Sequence, residues 1–380
     1  MTSDFSRTKE ERRQVGGWLF ICCLLIVFMV AIGGYTRLSG AGLSITTWQP
    51  ITGIIPPLNE QAWHESLEAY KTTPHYQDNP VSLDAFKDIY WVEYTHRMMG
   101  RLIGAVFLLP LLWFAFQRYF SRQWLMFFFM LLALGGGQAY IGWFMVQSGL
   151  IDQPFVSPYR LALHLSMALI LYGALLWASL RWWFYDGFHK SFYGDEKPPE
   201  YDIALSMHWH SYGAFLLLFA TMFVGALVAG YKAGLLYPTY PLMDGRLLPP
   251  LEGTLPWYHA IILEPAAIQW THRLLSLLTF ITIMAWVARI ETYDVKPAPL
   301  CWGARIVSML LVIQFTLGIA TLLLGVPTSL ALAHQLTGIL LFSALLITLT
   351  MMADYKRRFL EATLSIHGIS SLAARSSVTR

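Results

Sequence analysis

Eight long apolar stretches limit this chain to a membrane protein, because each can cross a bilayer as a helix of roughly 20 residues. Of its 380 residues, 56% are hydrophobic and 13% are charged, whereas soluble domains carry about 25% charged residues. The sequence therefore predicts an all-α membrane protein with eight transmembrane helices. They are expected at 16–35, 98–116, 124–146, 160–180, 212–231, 272–288, 306–325 and 330–351.

Positive charge is concentrated in alternate connections between these stretches. Lysine and arginine cluster before the first stretch, after the second, fourth and sixth, and after the eighth, and such clusters mark the cytoplasmic side. Both termini are therefore predicted to be cytoplasmic, with the long loops 37–88 and 232–267 outside. The N-terminal segment is too short and too rich in Asp and Glu for an organelle transit peptide, which favours a bacterial plasma (inner) membrane. We interpret the first stretch as an anchor rather than a secretory signal.

The chain contains an internal repeat. Tyr-Thr-His-Arg at 94–97 recurs as Trp-Thr-His-Arg at 270–273, an offset of 176 residues. Further identical residues recur in register, the last pair after a shorter loop: Gln138 and Gln314, Gly142 and Gly318, His164 and His334. The repeat predicts two tandem pseudo-symmetric four-helix bundles. The halves are 1–184 and 208–354, joined by a cytoplasmic linker at 185–207 and followed by a disordered tail at 355–380.

Each half places one histidine at the start of its second helix and one at the start of its fourth. They are His96, His164, His272 and His334. Two neutral imidazoles from facing helices are the usual ligands of a b-type haem iron, so the pattern predicts one haem site per half, near the outer face. Interhelical hydrogen bonds are the alternative, and zinc is disfavoured because no cysteine or aspartate lies nearby. Three cysteines also exclude a four-cysteine iron–sulfur site.

The two halves differ at one charged position. Glu93 lies one turn from His96, and its counterpart at the same offset is Gln269. A carboxylate in one half predicts proton-coupled chemistry there, while an ion pair with Arg97 four residues on is the alternative. Arg97 and Arg273 recur beside the histidines, so they are predicted to bind haem propionates, with snorkelling to the interface as the alternative.

Seven motifs resemble those of the haem A synthase family of mitochondria and proteobacteria. One of them is Glu-Tyr-Thr-His-Arg-Met-Met-Gly-Arg at 93–101. The others lie at 33–44, 56–60, 156–164, 228–234, 240–245 and 326–334. They are spread over nearly all of 16–352, and membrane burial alone does not explain the loop motifs. The sequence thus resembles a bacterial member of this family.

The resemblance implies an oxidoreductase acting on a CH group, which oxidises the C8 methyl of haem O to a formyl group and gives haem A for terminal oxidases. In the family the methyl is hydroxylated twice, and loss of water leaves the aldehyde. The resemblance implies a resident heme b held by His272 and His334. It also implies a substrate haem held by His96 and His164, with Glu93 as the essential acid. Some relatives carry a cysteine pair in outer loops, which this sequence lacks.

The rival interpretation is a di-haem transmembrane electron-transfer cytochrome, which explains four histidines but gives Glu93 no role. A transporter is a further alternative, although its ionisable residues would lie near the midplane rather than at one face. Haem O with its farnesyl tail and the lipid bilayer are the expected partners. Docking of haem O synthase, of oxidase assembly factors or of a second copy as a homo-oligomer stays open, and no nucleic-acid partner is expected.

Overall fold

The computed structural model describes residues 8–151, 154–184, 207–250, 256–293 and 297–366. These ranges are almost entirely helical, with an isolated bridge between Met243 and Arg246. The α-helices in chain order are α1 Lys9–Leu38, α2 Glu60–Lys71, α3 Pro74–Asp78, α4 Leu83–Phe116, α5 Arg122–Ile151, α6 Pro158–Trp183, α7 His208–Gly230, α8 Trp257–Leu263, α9 Pro265–Thr292, α10 Ala298–Leu323 and α11 Thr328–Ile366.

Eight of the described helices are long and apolar enough to cross a membrane: α1, α4, α5, α6, α7, α9, α10 and α11. Each contains or overlaps one predicted stretch, so the prediction of an all-α protein with eight transmembrane helices is confirmed. The remaining helices α2, α3 and α8 are short and lie in the two long loops. We call the end of the molecule that carries them the loop end.

Helix α4 begins at Leu83, well before the predicted start at 98. Ser82 caps it by accepting a hydrogen bond from the Ala85 amide, a common way to satisfy a free helical N–H. The first turns of α4 were missed because their apolar side chains face a small satellite core instead of lipid. That core contains Trp63, Leu67, Tyr70, Phe86 and Tyr90, and burial there raises the pKa of Tyr70 to about 12. Glu93 and His96 therefore lie inside a continuous helix rather than at its beginning.

Helix α11 continues to Ile366, so the first part of the predicted tail at 355–380 is helical. Burial explains the extension, because Tyr355 belongs to the main core and Asp354 is buried and accepts a hydrogen bond from Arg357 at 2.9 Å. Residues 367–380, and all of the predicted linker 185–207 except Met207, lie outside the described residues. The domain boundaries stay predictions.

The helix contacts follow the same cycle in each half of the chain. Helix α1 contacts α4, α4 contacts α5, α5 contacts α6, and α6 returns to α1. Helices α7, α9, α10 and α11 repeat that cycle. Helices α1 and α6 then pack on α7 and α11, and one hydrophobic core joins the two groups. Two tandem bundles remain our interpretation of these contacts.

Candidate functional site

Each of the four predicted histidines packs against a glycine of the preceding membrane helix. A Cβ atom placed on Gly33 of α1 would lie 3.0 Å from Nε2 of His96 in α4. The corresponding distances to the Cε1 atoms of His164, His272 and His334 are 3.0, 2.9 and 2.9 Å, measured from Gly142, Gly225 and Gly318. Because any side chain at these glycines would meet an imidazole, the glycines give the rings their positions.

The four contacts lie at the same end of the helices. The glycines are in the later parts of α1, α5, α7 and α10, and the histidines are near the beginning of α6, α9 and α11 or in the first half of α4. Within each half the two histidines lie close enough for their charges to interact. His96 interacts with His164, and His272 interacts with His334. The structure thus brings together the two pairs that the sequence predicted.

A glutamine accompanies the second histidine of each pair. The side-chain nitrogen of Gln138 donates to the His164 carbonyl at 3.0 Å and lies 3.4 Å from Nε2 of the same residue. In the other half, Gln314 Nε2 lies 3.4 Å from His334 Nε2. Two repeat positions found in the sequence therefore contact the histidines directly.

The two halves differ in the surroundings of Nδ1 of the second histidine, which is His164 in one half and His334 in the other. Nδ1 of His334 lies 3.2 Å from the Gln314 carbonyl, which can only accept a hydrogen bond. The contact favours the tautomer with hydrogen on Nδ1, so Nε2 keeps its lone pair and can bind a metal. Nδ1 of His164 is buried and has no hydrogen-bond partner within the described ranges. The C-terminal half therefore holds one of its histidines in a defined tautomer.

These residues fit haem binding. Each half offers two imidazoles from facing helices, and the Nδ1 atoms of His164 and His272 are buried without a hydrogen-bond partner in the described part of the chain. A buried polar atom without a partner is costly, and a bound iron would give such a nitrogen a partner. Among the described residues, no group of three or more His, Cys, Asp and Glu side chains is arranged to hold a metal ion.

Glu93 is buried, with 3% of its surface exposed, and both of its oxygens accept hydrogen bonds. Oε2 accepts from Ser44 Oγ at 2.8 Å and from the Ile45 amide at 2.9 Å. Oε1 accepts from Nη2 and Nε of Arg97 at 2.7 and 3.0 Å. The ion pair that the sequence left as an alternative is therefore present, and it also ties α4 to residues 44 and 45. A catalytic role for Glu93 stays a prediction.

Arg97 joins this acid to the loop between α1 and α2. Its Nη1 donates to the Thr47 carbonyl at 2.8 Å, and its Nη2 donates to the Ile45 carbonyl at 2.7 Å. One turn on, Arg101 donates to the carbonyls of Gln49 and Pro50. All three guanidinium nitrogens of Arg97 thus have protein partners, and its predicted contact with a propionate stays a prediction.

The C-terminal half holds its own loop in the same way without a carboxylate. Gln269 Nε2 and Arg273 Nη2 both donate to the Tyr237 carbonyl, at 3.2 and 2.8 Å. Gln269 Oε1 and Arg273 Nε are buried and have no hydrogen-bond partner among the residues that the structure describes. In both halves the two residues anchor a loop. Only the N-terminal pair, Glu93 and Arg97, combines a negative with a positive charge. The propionate contact of Arg273 stays a prediction.

Sequence reasoning missed the glycine contacts and the anchored loops. The recurrence of Gly142 at Gly318 was the available signal for the first, but the contact depends on how neighbouring helices are rotated. The loop contacts involve backbone carbonyls, whose partners no side-chain pattern identifies. The supporting geometry was therefore not predictable from spacing, although the histidines were.

Comparison with known proteins finds a matching family and similar chains. The model of the family COX15-CtaA, described as cytochrome oxidase assembly protein, matches residues 16–346. The chain is 39% identical over 339 residues to the heme A synthase of Wolbachia pipientis wMel, covering 88% of this chain and 91% of that relative. It is 39% identical over 351 residues to the heme A synthase of Nitrosospira multiformis, covering 88% and 92%. The heme A synthase of Paramagnetospirillum magneticum is 39% identical over 355 residues, covering 90% and 96%.

Proposed function

The chain belongs to the COX15-CtaA family, and we propose that it acts as a haem A synthase, oxidising haem O to haem A. The observation that carries the proposal is the repeated packing of histidine against glycine, which sets the positions of two imidazoles in each half. The relatives are bacterial, and the chain is a multi-pass membrane protein. The finer proposal is that the C8 methyl group of haem O becomes a formyl group through two hydroxylations and loss of water.

We assign the resident heme b to His272 and His334, and the substrate haem O to His96 and His164. Two differences between the halves support this assignment. His334 has the Nδ1 hydrogen bond that fixes a ligand, which suits a group that stays bound. The N-terminal half carries the buried carboxylate of Glu93 where the other half has Gln269. A charged group that can exchange a proton suits the half in which C–H bonds are broken.

When bound, a haem supplies one-electron redox chemistry. The residues of the chain supply the other functions of the site. His96 and His164 orient the substrate through their imidazole nitrogens, and Gly33 and Gly142 let the helices close behind the rings. The Glu93 carboxylate lies one turn from His96. Arg97 stabilises charge on its Oε1, so Oε2, bonded by Ser44, is the atom that accepts a proton if that bond opens.

The loop that follows α1 covers the candidate site. Arg97 and Arg101 hold the carbonyls of residues 45–50 against α4, which limits the access of water to the turn that contains Glu93 and His96. We propose that this loop end faces outward and that both termini are cytoplasmic, because lysine and arginine cluster at the other end. Haem O synthase, oxidase assembly factors and a second copy of the chain remain proposed partners.

The experiment is haem extraction from membranes of a bacterium that makes haem O but lacks its own haem A synthase. Expression of the wild-type chain should produce haem A, and Glu93→Gln should leave haem O unconverted. Ser44→Ala is the matched control, since it removes one hydrogen bond to Glu93 and keeps the carboxylate. An electron-transfer cytochrome would produce no haem A in any strain. Normal haem A output from Glu93→Gln would remove Glu93 from the chemistry.

A further inference from the structure

Arg37 differs from Arg97, Arg101, Arg160 and Arg273, which are the other arginines near the four histidines. Arg97, Arg101, Arg160 and Arg273 all donate to backbone carbonyls, and Arg97 also pairs with Glu93. Within the described ranges, the guanidinium of Arg37 has neither a hydrogen bond nor an ion pair. Its side chain is half-buried, so its charge is partly desolvated. A desolvated cation without a partner is costly unless something else compensates it.

The position of Arg37 is set by α1, where it lies four residues after Gly33. Residues four apart share one face of a helix, so Arg37 is on the face of α1 that carries Gly33 and touches His96. It lies one turn further toward the loop end. The buried carboxylate of α4, Glu93, is occupied by Arg97, Ser44 and Ile45. Among the residues that the structure describes, no acid pairs with Arg37, which lies one helical turn beyond the contact of Gly33 with His96.

The C-terminal half has no such cation. Gly225 contacts His272 as Gly33 contacts His96, and the residue four positions after Gly225 is Ala229. The charge therefore belongs to one half only, like the carboxylate of Glu93. A feature confined to the half assigned to the substrate points to a role in binding the substrate.

We propose that Arg37 binds a carboxylate of the tetrapyrrole substrate in the N-terminal half. The inference rests on the proposed function, which places the substrate at His96 and His164. Arg37 would hold a propionate of a tetrapyrrole bound by these histidines, because a guanidinium pairs with a carboxylate through two parallel hydrogen bonds. The competing explanation is that Arg37 only reaches for the membrane surface. That explanation predicts no dependence on the ligand's carboxylates.

The test measures binding of haemin and of its dimethyl ester to the purified full-length protein, which retains its resident haem. The ester keeps the ring and the iron and lacks the carboxylate charge. The change in absorbance that is lost in His96→Ala reports the N-terminal site. The variants are Arg37→Leu and Arg37→Lys. Arg246→Leu is the control, since it removes an equal charge from an exposed loop position at the loop end.

Arg37→Leu should weaken haemin binding by about tenfold or more, as expected for a hydrogen-bonded charge pair, and leave ester binding unchanged. Arg37→Lys should recover part of the loss, and Arg246→Leu should bind like the wild type. Equal haemin affinity in the wild type and Arg37→Leu would overturn the proposal. So would an equal loss for the ester, or failure of the wild type to bind haemin at His96. Wild-type protein that binds haemin there but makes no haem A would overturn the proposed function alone.

Discussion

Gln335 of α11 donates its side-chain amide to the carbonyl of Val30 in α1, at 2.9 Å. The side-chain oxygen of Gln335 lies against Gly34, and a Cβ atom placed on Gly34 would lie 2.6 Å from that oxygen. Gln335 follows His334, and Gly34 follows Gly33, the contact of His96. The candidate sites of the two halves are therefore adjacent across the α1–α11 interface.

Gly34→Ala should lose the Gln335 hydrogen bond, because the added methyl would meet Gln335 and Leu332. We expect a loss of about 1 kcal/mol of stability, the usual value for one hydrogen bond. Gln335→Ala should cost a similar amount, and the double variant should cost less than the sum. Thermal unfolding in detergent measures all three. Additive effects would mean that the two residues do not act through one contact.

Gly225→Ala should lower the occupancy of the resident haem. The new Cβ atom would lie 2.9 Å from His272 and push its ring out of position. A displaced ligand lowers metal affinity by about tenfold or more. The control is Gly213→Ala on the same helix, where a Cβ atom meets nothing within 4 Å. Haem content per purified protein is the measurement, and equal loss in both variants would contradict a specific effect on His272.

Gly142→Ala should affect the proposed substrate site and not the resident haem. It displaces His164, since the added Cβ atom would lie 3.0 Å from that ring, and it leaves α9 and α11 untouched. The resident haem should be retained while haem A output falls. Gly135→Ala on the same helix is the control, because its surroundings are open. Loss of the resident haem in Gly142→Ala would argue against separate sites in the two halves.

Arg97→Gln should destabilise the protein more than Glu93→Gln. The first change leaves a buried carboxylate without its cation, which costs about 3–5 kcal/mol. The second produces the pair that the C-terminal half already has, Gln269 with Arg273. Thermal unfolding in detergent should therefore rank Glu93→Gln close to the wild type and Arg97→Gln well below it. The reverse order would mean that the ion pair does not anchor α4 to residues 44–47.

The sequence predicted the parts of the fold that depend on hydropathy. All eight apolar stretches lie in helices, because long apolar segments have few alternatives in a bilayer. The true start of α4 at Leu83 was missed because Phe86 and Tyr90 pack on α2 rather than on lipid. The extension of α11 was missed because the buried Asp354 and its partner Arg357 look like solvent-exposed charge in a sequence.

The four histidines of the candidate site were predicted from the sequence, whereas the contacts that support them were not; their role as ligands stays a prediction. Register between the repeats identified His96, His164, His272 and His334 without any geometry. The same repeat suggested propionate binding for Arg97, but the side chain is held by Glu93 and by loop carbonyls. Such contacts depend on the path of the backbone, which residue types alone do not determine. The free guanidinium of Arg37 appeared only once the partners of the other arginines were known.

The most direct test of the two-site account compares His96→Ala with His272→Ala after purification, by absorbance spectrum and by haem extracted from the membranes. His272→Ala should lose the low-spin spectrum of the resident haem. His96→Ala should keep that spectrum, while its membranes contain haem O and no haem A. An unchanged low-spin spectrum in His272→Ala, or normal haem A in His96→Ala, would contradict the assignment of the two halves.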